Sequence, residues 1–226
     1  MLQQNEMKDL VARYVVENFV KPGMKIGLGS GTTSEYAIRH LGRLLKEGVL
    51  HDILAVPTSS QSELVCQELN IPLRSLNDPE INCELDLAID GADEIDRRLR
   101  LTKGGGGCLT QEKIVDYAAK RFITITDETK LVSDLGLTFP IPVEVMPLAR
   151  VPVTRALERL GARVTLRMAV KKMGAVITDN GNMILDMLFD RPIDPVELEV
   201  KLNTIPGVVE NGIFARKETE VWVGHA

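Results

Sequence analysis

Apolar residues recur along this chain in two alternating rhythms. Over residues 5–19 they return every three or four positions, the spacing of an amphipathic helix, and Pro22-Gly23 stops the pattern. A short apolar run over 24–28 then predicts a strand, and 32–47 a helix. The pair repeats as a strand over 53–56 and a helix over 60–69. A buried strand is expected over 85–89, a helix over 110–120 and a strand over 122–126. Strands that alternate with helices pair in parallel, because each crossover helix packs back on the sheet.

Beyond about residue 139 the rhythm changes. A strand is expected over 143–146, a helix over 152–160 and a strand over 163–167. Strands over 175–178 and 183–187 flank Asp179-Asn180-Gly181-Asn182, a hairpin turn signal. Asp194-Pro195-Val196-Glu197 opens a helix, with Asp as N-cap, Pro at the first helical position and Glu at the third. Pro206-Gly207 ends it, and a strand follows over 208–214. The order β-α-β-(β)-α-β is close to the split βαβ pattern. A last strand over 220–223 returns to the first sheet. The expected fold class is therefore α/β: a Rossmann-like, mostly parallel sheet with helices on both faces, plus a smaller α+β lobe of ferredoxin-like order. The Rossmann-like domain is expected over 1–138 and 216–226, and the lobe over 139–215. No internal repeat and no low-complexity linker interrupts either.

Composition narrows the function classes. The chain has 226 residues, 44% of them apolar and 26% charged, which suits a packed core rather than disorder. No apolar run approaches the ~18 residues of a membrane helix. Glu6, Asp9 and Glu17 argue against a signal or transit peptide, so a cytoplasmic location is expected. A net charge of −5 without a Lys/Arg block argues against nucleic acid as a partner. Cys66, Cys83 and Cys108 are far apart and odd in number, and His40, His51 and His225 have no ligand spacing. The cysteines read as small buried or incidental residues, and no metal or other cofactor is expected. Catalysis would run on carboxylates, lysines and backbone amides.

Three segments concentrate that chemistry. Gly27-Leu28-Gly29-Ser30-Gly31-Thr32-Thr33 follows a strand and opens a helix, where amides and hydroxyls cradle a phosphate. It is a poor dinucleotide fingerprint, because Thr32 stands at the third glycine and no acid ends the second strand. No Gly-Lys-Ser/Thr of a Walker loop follows. The plainer alternative is a tight turn with Thr32 and Glu35 as a capping box.

Asp90-Gly91-Ala92-Asp93-Glu94 stands at the carboxyl end of the 85–89 strand, the end where open α/β sheets bind ligands. Two carboxylates three residues apart suit sugar hydroxyls and acid–base work, and the alternative is a solvated Asp-Gly turn. Lys103-Gly104-Gly105-Gly106-Gly107 packs nothing and costs backbone entropy. A loop that presents amides and a positive charge to an enediolate oxygen accounts for it better than a flexible linker. Glu112, in the first turn of the next helix, is favoured there by the helix dipole alone. Its place after the glycine loop also makes it a candidate base. Lys130 and Lys8 carry weaker signals, and Trp222 and Phe214 read as core.

Together these motifs resemble the ribose-5-phosphate isomerase A family. Asp90-Gly91-Ala92-Asp93-Glu94, Lys103-Gly104-Gly105-Gly106 and Thr110-Gln111-Glu112-Lys113 fall in its order and spacing. The stretches Pro142-Val143-Glu144-Val145, Thr178-Asp179-Asn180-Gly181-Asn182 and Ile205-Pro206-Gly207-Val208-Val209 match as well. The glycine turn is a conservative variant, Gly-Ser-Gly-Thr-Thr for Gly-Thr-Gly-Ser-Thr, and no catalytic position is lost. The resemblance implies a metal-independent aldose–ketose isomerase of the pentose phosphate pathway, which interconverts ribose 5-phosphate and ribulose 5-phosphate as a homodimer or homotetramer. It implies Glu112 as the base that moves a proton between C2 and C1, and Asp90 in ring opening. Asp93 and Lys103 would hold hydroxyls and stabilise the enediolate. Substrate binding would fall to Ser30, Gly31, Thr32, Thr33, Gly91, Ala92, Gly104, Gly105 and Gly106, with Lys130 at the phosphate. Such isomerisation runs either by a metal-assisted hydride shift or by an enediol with a carboxylate base, and the scarcity of metal ligands favours the second.

Two other classes share this architecture. A CoA-transferase-like enzyme also uses a glutamate near glycine loops and would form a thioester at Glu112. A sugar-phosphate sensor would bind without turnover and usually carries a DNA-binding segment, for which one helix before the first strand is expected to leave no room.

Overall fold

In the computed structural model, which describes residues 3–225, the periodic segments fold as follows. The first half runs α1 (Gln4–Phe19), β1 (Lys25–Leu28), α2 (Thr32–Lys46), β2 (Leu54–Pro57), α3 (Ser60–Glu68), β3 (Leu85–Asp90), β4 (Glu94–Ile95), β5 (Leu101–Thr102), α4 (Leu109–Ala118) and β6 (Ala119–Asp127). The second runs β7 (Ile141–Val145), α5 (Arg150–Arg159), β8 (Arg163–Leu166), β9 (Met183–Leu188), α6 (Pro195–Asn203), β10 (Val208–Asn211), β11 (Ile213–Phe214) and β12 (Glu220–Gly224). The chain divides into two compact units. One comprises Met1–Gly91, Gln111–Lys130 and Glu218–Ala226, and the other Ala92–Thr110 and Leu131–Lys217. Among the described residues no helix is long and apolar enough to cross a membrane.

The first unit is built on a five-stranded sheet in the order β12-β6-β3-β1-β2, parallel throughout. Alternate strand residues Ile26, Leu28, Leu87, Ile89, Ile123 and Ile125 form one core with Val11 and Val15 of α1, Ile38 and Leu41 of α2, and Val65 of α3. Each fully buried aliphatic side chain contributes about 1.5–3 kcal/mol. Gly27, between Ile26 and Leu28, faces the other way: a Cβ there would lie 2.6 Å from Val115 of α4. Helices therefore cover both faces.

The second unit holds an antiparallel sheet in the order β10-β7-β9-β8. Counted within the split βαβ pattern, that is fourth, first, third, second, the ferredoxin-like arrangement expected. Val143, Val145, Leu185 and Met187 pack there against Val153 and Leu157 of α5 and Leu198 and Leu202 of α6. Asp194 caps α6 by accepting from the amides of Val196 (3.0 Å) and Glu197 (3.3 Å).

Four local expectations change. Helix α2 begins at Thr32 itself with Gly31 as N-cap, so Thr32 and Glu35 form no capping box. Residues 175–178 make only isolated bridges, Met168 to Ala175 and Ile177 to Met183, instead of a strand. The Thr178 hydroxyl oxygen accepts from the Asn180 and Asn182 amides, and that local bonding competes with a ladder. The expected strand over 208–214 breaks at Gly212 into β10, paired with β7, and β11, paired with β5. The resulting small sheet, β11-β5-β4, had no signal in the periodicity, because β4 and β5 are two residues each. It also explains why residues 92–110 cluster with the second unit rather than with the 1–138 domain outlined by periodicity.

Candidate functional site

In the first unit, polar residues gather at the carboxyl ends of the parallel strands. Asp90 is the last residue of β3 and is fully buried. Its Oδ1 accepts from the Gly91 amide (2.7 Å), the Ser34 hydroxyl (2.9 Å) and the Ser30 amide (3.1 Å). Gly29 makes this possible: its amide donates to the Ile89 carbonyl at 2.9 Å, and a Cβ at this position would overlap the Asp90 carboxylate. The glycine is required for close approach rather than for loop flexibility.

Hydroxyls extend the cluster. Ser30 Oγ shares a hydrogen bond with Thr58 Oγ1 at 2.8 Å and donates to Ser59 Oγ at 2.5 Å. Gln61 Oε1 accepts from the Gly31 amide at 2.8 Å. Thr32 Oγ1 accepts from Lys8 Nζ at 3.2 Å, and Thr33 follows in the first turn of α2. Lys8 Nζ also lies 3.9 Å from Asp127 Oδ2, at the end of β6. Burial pushes the Asp127 carboxyl up. Donors from the Thr129 hydroxyl, Gln4 and the Thr129 amide, with the Lys8 charge, outweigh that and hold it below the ordinary carboxylate value. Glu112 is buried in the first turn of α4, and Lys130 closes the short 3₁₀ turn after β6.

The second unit gathers Asp93, Lys103 and the glycine loop. The β4–β5 pair sets them: the Asp93 amide donates to the Thr102 carbonyl at 2.8 Å, and the Lys103 amide to the Gly212 carbonyl at 2.9 Å. Asp93 Oδ2 accepts from the Gly105 amide at 2.7 Å. Lys103 is 2% exposed, with Nζ 5.5 Å from the centroid of the Phe214 ring. Gly104 and Gly107 have φ of +97° and +87°, so these two glycines satisfy a real backbone requirement, and a Cβ at Gly105 would lie 2.6 Å from Asp93 Oδ1.

The structure thus brings Ser30, Asp90 and Gly91 together in one unit and Asp93, Lys103, Gly104 and Gly105 in the other; Ala92 begins the second. Ser34, Thr58, Ser59, Gln61 and Gly212 support these residues and went unnoticed in the sequence. Only Ser59 had a local signal, as the N-cap of α3. The three histidines pair with carboxylates elsewhere: His40 with Asp9, His51 with Asp52 and His225 with Glu128. Among the described residues no three or more His, Cys, Asp or Glu side chains gather as a metal-binding group.

A parallel sheet with a glycine turn and a buried aspartate at its strand ends, and an α+β unit carrying a lysine–glycine loop, place the chain in the class of Rossmann-like α/β proteins with a smaller α+β unit. The family model for ribose 5-phosphate isomerase A (phosphoriboisomerase A) matches residues 54–226. Ribose-5-phosphate isomerase A of Thermosynechococcus vestitus is 50% identical over 97% of this chain and 91% of its own. The solved ribose 5-phosphate isomerase A of Methanocaldococcus jannaschii superposes with a TM-score of 0.91 at 48% identity, covering 97% of this chain and 95% of that one. A solved D-ribose-5-phosphate isomerase in complex with phospho-erythronic acid gives 0.94 at 47% identity, covering 99% and 96%. The chain belongs to the ribose 5-phosphate isomerase A family.

Proposed function

We propose that this chain interconverts D-ribose 5-phosphate and D-ribulose 5-phosphate through an enediolate, with Glu112 as the proton carrier. The observation that carries the reading is the near-complete match to a relative solved with phospho-erythronic acid. That ligand is a phosphorylated sugar acid, whose carboxylate spreads negative charge over two oxygens as an enediolate does.

On this reading the Glu112 carboxylate removes the C2 proton of the open-chain aldose. The C–H electron pair forms the C1–C2 double bond, and negative charge develops on O1. Glu112 then returns a proton to C1, while the O2 proton passes to O1 and the C2 carbonyl forms. A positioned carboxylate contributes about 10²–10⁴-fold to such a transfer. Asp90 assists ring opening. Asp93 and Lys103 hold hydroxyls and stabilise the enediolate, whose charge favours a buried ammonium and loop amides. Ser30, Gly31, Thr32, Thr33, Gly91, Ala92 and Gly104 to Gly106 hold substrate, and Lys130 binds the phosphate end. The same reading takes the reaction as metal-independent and part of the pentose phosphate pathway, in a cytoplasmic homodimer or homotetramer.

A coupled assay with ribose 5-phosphate, run with and without chelator, tests it. Turnover indifferent to chelator is expected, with Glu112→Gln lowering kcat by about 10²–10⁴-fold while phospho-erythronic acid still binds. No turnover at high enzyme concentration would sink the assignment, and chelator-sensitive turnover would sink the metal-independent route.

A further inference from the structure

Arg167 carries no assigned role, yet it holds the glycine loop. It follows β8, and its backbone is fixed on both sides: its amide donates to the Ile184 carbonyl at 2.9 Å, and its carbonyl accepts from the Val176 amide at 2.9 Å. Its guanidinium grips Asp186 of β9 as a fork, Nε to Oδ2 at 2.8 Å and Nη2 to Oδ1 at 2.5 Å. The remaining edge turns to the loop. Nη1 donates to the Gly104 carbonyl at 2.9 Å and to the Gly105 carbonyl at 3.0 Å. Both side chains are largely buried, Arg167 at 15% and Asp186 at 13% exposure.

Two consecutive carbonyls bound to one cation constrain the amides that follow them. In a planar trans peptide the C=O of one residue and the N–H of the next point in opposite directions. The Gly105 amide must therefore point away from Arg167, and it does so, meeting Asp93 Oδ2 at 2.7 Å. The Gly106 amide, which follows the Gly105 carbonyl, is likewise turned from Arg167. Gly106 stands in open space, where a Cβ would meet nothing within 4 Å. Without an anchor, four glycines would sample many orientations of these dipoles. Lysine could not replace the arginine, because a single ammonium lacks the planar fork that serves two carboxylate oxygens and two carbonyls at once.

We propose that Arg167 is a positioning residue that aims the Gly105 and Gly106 amides of the Lys103–Gly107 loop, and that Asp186 locks it in that role. The proposal rests on the isomerase reading, in which the Gly105 amide holds Asp93 and the Gly106 amide serves the enediolate. Arg167 acts through the loop carbonyls it holds.

The test is steady-state kinetics with ribose 5-phosphate, binding of phospho-erythronic acid, and thermal melting, for Arg167→Met, Arg167→Lys and Asp186→Asn. We expect both Arg167 variants to lose at least tenfold in kcat with KM within threefold of wild type, and to bind phospho-erythronic acid at least tenfold more weakly. Asp186→Asn, which keeps the contacts to the carbonyls, should lose less than either. If Arg167→Met does not fold, Arg167→Lys carries the test with the charge retained. Arg167 variants with lowered melting temperature but kcat within twofold of wild type would overturn the proposal and leave Arg167 an ordinary ion-pair residue. So would a kcat loss in Asp186→Asn as large as that in Arg167→Met. A wild-type protein inactive on ribose 5-phosphate would instead overturn the isomerase reading, and this proposal with it.

Discussion

The Thr110 hydroxyl donates to Glu144 Oε2 at 2.5 Å, and this is one of several neutral groups on a single buried carboxylate. Thr178 Oγ1 (2.8 Å), Asn182 Nδ2 (2.8 Å) and Asn180 Nδ2 (3.1 Å) donate to Oε1. Three sequence motifs that lie far apart along the chain meet on Glu144: the one around Thr110, its own β7, and the Asp179–Asn182 turn. The fully buried strand β7 affords such a charge only because donors surround it.

Glu144→Gln should therefore destabilise the protein. Its amide nitrogen would face Asn180, Asn182 or a hydroxyl, and each buried donor left facing a donor costs about 1–3 kcal/mol. Urea denaturation should show a lowered midpoint with an unchanged slope. A midpoint equal to wild type would mean that the donors reorient at no cost.

Gly29 and Gly106 should separate packing from ligand contact. Gly29→Ala forces the added methyl onto the Asp90 carboxylate, and overpacking of this kind costs about 1–3 kcal/mol. Gly106→Ala meets open space and should melt within about 1 kcal/mol of wild type, the cost typical of surface substitutions being small. On the isomerase reading it should nevertheless raise KM. Melting curves and kinetics on the two variants check both halves.

Acid should weaken the protein through Asp127. Its carboxyl is held below the ordinary value in the folded state, so the stabilisation is fully present above the unfolded pKa of about 3.9. It is lost as pH falls through the lower folded value. Asp127→Asn should be less stable than wild type at pH 6, by about 1.5–3 kcal/mol for a charge-assisted hydrogen-bonded site. The gap should shrink below about pH 4, within reach of the unfolded pKa. Melting temperatures at matched pH values would show this, and a gap that widens in acid would contradict it.

The thiols should differ sharply in reactivity. Burial, with a smaller contribution from Glu63, pushes the Cys66 thiol up to about 12, whereas Cys83 is exposed. A thiol reagent at pH 8 should modify Cys83 first and leave Cys66 unmodified until denaturant is added. Peptide mapping after brief labelling distinguishes them.

Much of the fold was legible because its signals are local. Helical periodicity, the Asp194 cap and the alternation of strands with helices all act over a few residues, and the parallel sheet and the split βαβ order followed from them. The small sheet β11-β5-β4 was not legible, since two-residue strands carry no period. The Gly212 break was hidden for a different reason: it is set by the approach of Lys103 and Pro142, far away in sequence. The candidate site divides the same way. Asp90, Asp93, Lys103 and the glycines stand in compact motifs. Arg167 and Ser34 look like ordinary residues of a strand end and a helix turn until their partners are placed beside them.

The Gly212 break links two sheets through one piece of chain. β10 is hydrogen-bonded into the four-stranded sheet and β11 into the three-stranded one, and between them Gly212 donates to the Pro142 carbonyl and accepts from the Lys103 amide. The lysine–glycine loop is thereby tethered to the most deeply buried strand of its unit. In hydrogen-exchange terms, the Lys103 amide should open together with β7, rather than in the fast local fraying of a surface loop. A loop that looks pliable in composition thus inherits the cooperativity of a core.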